Sequence, residues 1–146
     1  MNTDTDNKEL ISDDEEIRLK TIVGLTEFVT IRGEKSCDDL IARIDTGATK
    51  SSIDLLLATK LGLGPVVDSK LIKSAHGMKL RPVVRAEVEI KGRKIRAKFT
   101  LADRNHMRYP VLIGQNILKK DFLVDPSRRV DSPLKIDADS KPENKK

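Results

Sequence analysis

From Thr21 onward apolar residues recur mostly at every second position, the period of a strand with one buried face, and glycine or charged clusters break the runs. TIVGLTEFVTI (21–31) predicts one strand, or a pair broken near Gly24, and RGEKSCDD (32–39) a charged turn around Gly33. LIARID (40–45) then runs apolar into Asp45, the profile of a strand buried for most of its length. After the turn Asp45-Thr46-Gly47-Ala48, SSIDLLLATKLGL (51–63) predicts a short strand around Ser52 and Ile53, then a helix capped by Asp54 and ended near Gly62. PVVDSKLIKSAHGMKLRPVVRAEVEI (65–90) predicts a hairpin with Ser74-Ala75-His76-Gly77 at its tip. Its second arm sets Val84, Ala86, Val88 and Ile90 against Arg85, Glu87 and Glu89. Lys91-Gly92 turns the chain into KIRAKFTL (94–101), where Ile95, Ala97, Phe99 and Leu101 alternate with Arg96, Lys98 and Thr100. A polar loop, ADRNHMRY (102–109), leads to PVLIGQNILKK (110–120), a strand ending at Gly114 and a short helix opened by Asn116; DFLVDP (121–126) is the last strand. The expectation is a mostly β domain of about seven strands with two short helices, folded as a small closed barrel.

Composition sets the ends apart from this core. The 146 residues suffice for one domain, and only 38% are hydrophobic, which suggests a compact unit with polar tails. Residues 1–20 hold seven acids and three bases and read as a disordered acidic leader, and residues 131–146 as a flexible polar tail. Nothing in the leader has the pattern of a signal peptide and no run reaches membrane-spanning length, so a cytoplasmic protein with no membrane partner is expected. The domain, residues 21–130, carries 21 basic and 12 acidic side chains, about +9, and favours an anionic partner. Nucleic acid and an acidic peptide both qualify; 3% aromatic content and the lack of a nucleic-acid-binding motif disfavour the first. Cys37, His76 and His106 are widely spaced, and there is neither a zinc-protease helix motif nor a phosphate-binding loop, so no metal and no other cofactor is expected.

Asp45 stands where an apolar strand meets a turn made only of small residues, which places a carboxylate at the rim of the core. Taken alone, Asp-Thr-Gly is equally an ordinary β-turn. The wider pattern adds to it. IDTGATKSSI (44–53), the glycine-tipped hairpin and PVLIGQNIL (110–118), in that order, resemble the signatures of the retropepsin-like aspartic proteases. Residues 81–126 more narrowly resemble the branch known as ATP-dependent zinc proteases, linked to ATP-grasp ligases that add amino acids such as glutamate to protein termini. The zinc and ATP of that name have no support in these residues.

The resemblance implies an aspartic peptidase. Its chemistry needs two carboxylates sharing a proton, one acting as base on water while the other polarises the scissile carbonyl. A chain with one Asp-Thr-Gly and no internal repeat then implies a C2 homodimer with Asp45 from each copy. By the same resemblance, Thr46 bonds across the axis, Gly47 lies against the substrate backbone, and His76-Gly77 form the tip of a flap. Ala48, Thr49, Lys50, Arg81 and Arg85 complete the candidate substrate-binding set, and Lys73 and Lys79 add to a basic cleft suited to acidic or amino-acid-modified tails. Thr49-Lys50 stand where viral relatives commonly have an acidic residue, and Gln115 where they favour arginine. These departures leave a second reading, a non-catalytic partner of an ATP-grasp ligase or of its modified product. Other residues have structural readings: Arg81 and Arg85 as surface ion pairs, Arg104 and Arg108 as loop residues, His76 as an exposed turn residue, Cys37 as a free thiol in the charged turn.

Overall fold

The alternating strands of residues 84–101 become walls of a barrel in the computed structural model, which describes residues 11–130. Nine strands are described: β1 (Thr21–Val23), β2 (Thr26–Arg32), β3 (Ser36–Ile44), β4 (Ser51–Asp54), β5 (Val66–Ser74), β6 (Gly77–Ile90), β7 (Arg93–Ala102), β8 (Val111–Ile113) and β9 (Phe122–Val124). With them are three short helices, α1 (Asp13–Arg18), α2 (Leu55–Leu61) and α3 (Gln115–Leu118). Six strands run in the order β2-β3-β8-β4-β7-β6, and β6 returns to β2 through Val29↔Ile90 and Ile31↔Val88 to close the barrel. β5 pairs with β6 alone, so the first hairpin projects as a long arm, and β1 pairs in parallel with β9 apart from the barrel.

The alternation read from the sequence decides what faces inward. Val84, Ala86, Val88 and Ile90 of β6 and Ile95, Ala97, Phe99 and Leu101 of β7 are buried, joined by Val29, Ile31, Ile53, Val111 and Ile113. Each of the larger of these contributes about 1.5–3 kcal/mol by leaving water. The second hairpin turns on Lys91 and Gly92, both at positive φ (53° and 80°), the conformation whose twist matches the flanking strands. At β4, Asp54 caps α2 by accepting from Leu57 N (3.2 Å), and the helix ends on the left-handed Gly62.

Three expectations are corrected. Within the stretch read as a disordered leader, residues 13–18 are helical, because Ser12 and Glu15 form a reciprocal capping box and four acids fill the first turn. Residues 1–10 of that leader and the tail, 131–146, lie outside the described residues. Cys37 lies in β3, half-buried beside the core, and not in a turn, since β3 begins inside the charged stretch. Asn116 does not open α3; Gly114 is the N-cap and the Asn116 side chain bonds elsewhere. Among the described residues no helix is long and apolar enough to cross a membrane.

Candidate active site

β8 enters the sheet between β3 and β4, parallel to the first and antiparallel to the second, and so lies behind the turn that joins them. Its end locks onto that turn. Asp45 N donates to Ile113 O (2.9 Å) and Gln115 N to Ala48 O (2.8 Å). Gly114 passes so close that a Cβ there would run into the carbonyls of Lys50 and Ala48, which is why the strand must end in glycine. Gly114 N donates to Ser51 Oγ (2.9 Å), and this fully buried hydroxyl donates to Asn116 Oδ1 (2.7 Å). Asn116 Nδ2 reaches Lys98 O (3.1 Å), and Gln115 Nε2 reaches the Thr46 carbonyl (2.6 Å). The loop 45–50 is therefore braced from behind by two strands and a short helix.

Asp45 is half-buried, with Oδ1 accepting from Gly47 N (2.9 Å) and its carbonyl accepting from Ala48 N (3.2 Å) to close the turn. Among the described residues its second oxygen, Oδ2, has no hydrogen-bond donor, so one oxygen is fixed and the other is open. Thr46 and Gly47 are exposed beside it, Ala48 is half-buried, and Thr49 and Lys50 are exposed. His76 and Gly77 stand at the exposed tip of the β5–β6 hairpin, whose register closes at Ser74↔Gly77. Arg81 is half-buried on the second arm. Arg85 is exposed on the barrel's outer face, where it lines a groove with Lys50.

A pocket of about 570 Å³ opens beside the strand end that delivers Asp45, lined by Leu25 and Ile44 and by four arginines, Arg43, Arg104, Arg108 and Arg129. Arg104 is buried and braces its surroundings: Nε donates to Tyr109 O (2.9 Å), Nη1 to Ser52 Oγ (3.1 Å), and its backbone N to Asp54 Oδ1 (2.9 Å). Asp54 thus ties a loop as well as capping a helix. Burial, then the positive field of Arg43, pulls the Arg104 guanidinium below its ordinary pKa; Asp54 opposes this and Arg81 adds to it. Sequence reading missed Arg43, Arg129, Ser51 and the bracing by Gln115 and Asn116. Arg43 had a visible signal, a lone charge between Ala42 and Ile44 just before Asp45, whereas the others meet the loop only through β8's position between β3 and β4.

Cys37, His76 and His106 lie on three separate elements, and among the described residues no three His, Cys, Asp or Glu side chains are grouped to hold a metal. The residues do not fit a zinc centre.

A closed barrel that presents an Asp-Thr-Gly turn braced by a glycine-ended strand defines a retropepsin-like protein. Solved structures of the same shape include the Legionella pneumophila protein Lpg0085, of unknown function (TM-score 0.53, 21% identity, 76% of this chain and 97% of that one). They also include the simian foamy virus protease (TM-score 0.51, 22% identity, 64% and 91%) and the EIAV protease bound to an inhibitor (TM-score 0.50, 24% identity, 64% and 84%). At these identities the likeness is one of fold. The chain belongs to the RimB-like family, whose model, described as retropepsin-like aspartic endopeptidase RimB, matches residues 59–133. That match runs from within α2 through β9 and begins beyond the Asp45 turn, which it does not include. A search of curated proteins finds no match.

Proposed function

We propose that the chain is an aspartic peptidase that works as a homodimer, two copies facing each other so that Asp45 of each supplies one carboxylate. The observation that carries this reading is the Asp45 side chain, with Oδ1 fixed by Gly47 N and Oδ2 open on a rigid turn. Two such groups brought together hold one proton between them, because like charges at close range resist a second ionisation. The ionised member takes a proton from water as that water attacks the scissile carbonyl, and the protonated member gives its proton to the carbonyl oxygen. The tetrahedral diol then collapses: the amide nitrogen gains a proton, the C–N bond breaks, and acid and amine leave with the pair restored to its shared-proton state.

The remaining candidates have supporting positions. Exposed Thr46 would bond to its equivalent across the two-fold axis, and Gly47 would let a peptide backbone approach Asp45. The β5–β6 hairpin carries the exposed apolar side chains Leu71, Met78 and Leu80, which would cover a bound peptide and exclude water, with His76 and Gly77 at the moving tip. The arginine-lined pocket next to Ile44 suits carboxylate side chains, which favours acidic tails, such as those an amino-acid ligase would build, over neutral peptides.

Purified protein incubated with glutamate-rich, neutral and lysine-rich peptides across acidic to neutral pH tests the reading. Cleavage of the glutamate-rich peptide, abolished by Asp45→Asn, is the expected outcome. Equal inertness of wild type and variant, with retained binding of a ligase, would favour the non-catalytic reading instead.

A further inference from the structure

Beyond the arginine pocket, a second basic surface lies on the outer face of the barrel. It is a groove of about 330 Å³ between the projecting hairpin, β7 and the segment after α3, lined by seven lysines and arginines and one carboxylate, Asp68. We propose that this groove is an exosite that holds a carboxylate-rich stretch of an extended peptide away from the bond being cut. The proposal rests on the peptidase reading for its purpose, not for its binding.

The strand pairing makes the groove costly for the protein alone. Arg85 on β6 stands directly opposite Lys98 on β7, two like charges where sheets ordinarily pair unlike ones. The neighbouring acids of β6 do not offset this: Glu87 and Glu89 both bind Arg32 of β2, at 2.9 and 2.8 Å. Arg96, opposite Glu87 in register, is thereby left facing the groove, and among the described residues none of its seven cations has an ion-pair partner. Asp68 already accepts from Ser69 N (2.8 Å). An anionic chain would relieve the mutual repulsion of the cluster.

Geometry selects an extended peptide as that chain. The groove starts at Lys50 and Asn116, the shoulder of the Asp45 turn, so a strand leaving the turn can run into it. Arg96 and Lys98 stand two residues apart on one face of β7, about 7 Å, the repeat at which an extended peptide presents alternate side chains. A nucleic acid would want rings to stack on, and the groove has none: Phe99, Phe122 and Tyr109 are buried, and Phe28 lies on β2.

The test measures binding and cutting separately. Full-length Asp45→Asn protein is titrated with a fluorescent peptide carrying a long glutamate run, with and without Arg96→Gln combined with Lys98→Glu. Lys98→Glu places an unlike charge opposite Arg85, so the sheet is not strained by it. A second pair, Lys119→Gln with Lys120→Gln, probes the far wall of the groove. Either pair should weaken binding about tenfold at physiological salt. In the otherwise wild-type enzyme the same pairs should raise KM for the long peptide while sparing kcat/KM for a peptide too short to reach the groove. Unchanged binding in both pairs overturns the proposal, as does tighter binding of a single-stranded oligonucleotide than of the glutamate peptide. Binding lost in the variants while wild type cuts no peptide would support the exosite and sink the peptidase reading, so the two fail separately.

Discussion

At the scale of single residues the site depends on contacts that leave no room. Gly114→Ala would drive a methyl into the carbonyls of Lys50 and Ala48, so it should cost about 1–3 kcal/mol or more in urea denaturation and displace the Asp45 turn. Ser51→Ala removes the acceptor of the buried Gly114 N and the donor to Asn116, and should cost about 1–3 kcal/mol with a matching loss of activity. A midpoint unchanged by either substitution would mean that the brace does not hold the turn. Asp45 itself was legible, because an apolar strand running into small turn residues is a local pattern. Ser51 and Asn116 were not, since a serine in a strand and an asparagine near a helix start carry no mark of being 65 residues apart and bonded.

At the scale of elements, alternation in β6 and β7 made the hairpins readable, while the order of strands in the sheet was not. Nothing local in VLI signals that β8 will lie between β3 and β4; only the closed barrel gives that register its reason. The helix at Asp13–Arg18 was visible as Ser12 followed by Glu15, and the surrounding negative charge hid it. Two elements also have seams that can be opened. Arg32 joins β2 to β6 through Glu87 and Glu89, and its hydrogen bond to Glu89, foremost, holds its pKa above the ordinary value. Arg32→Ala should lower the unfolding midpoint, and the difference should shrink as salt is raised, because these partners are partly exposed. After β9, hydrogen bonds from Ser127, its hydroxyl foremost, hold the Asp125 carboxyl below the usual range. A group held low in the folded state contributes above its unfolded pKa and loses that contribution as pH falls through the folded one. Asp125→Asn should therefore reduce stability at neutral pH and flatten the acid limb of a stability-against-pH curve; parallel curves would contradict this.

At the scale of the whole molecule, one protomer offers one Asp45, and the proposed chemistry needs two. This yields a prediction about mixtures that the peptide assay alone does not give. If wild type and Asp45→Asn protomers exchange freely at equal amounts, about a quarter of the dimers carry two carboxylates, half carry one, and the rest none. A pair with one carboxylate cannot divide the roles of base and acid, since the neutral amide neither accepts a proton from water nor returns one. Activity in the mixture should fall to about a quarter of that of wild type alone at the same total concentration. A fall to only about half would mean that each protomer cuts by itself, and the shared-proton mechanism would have to be abandoned. Dilution provides the control: at concentrations where sedimentation finds protomers apart, specific activity should drop with the dimer fraction while the fold, followed by circular dichroism, stays intact.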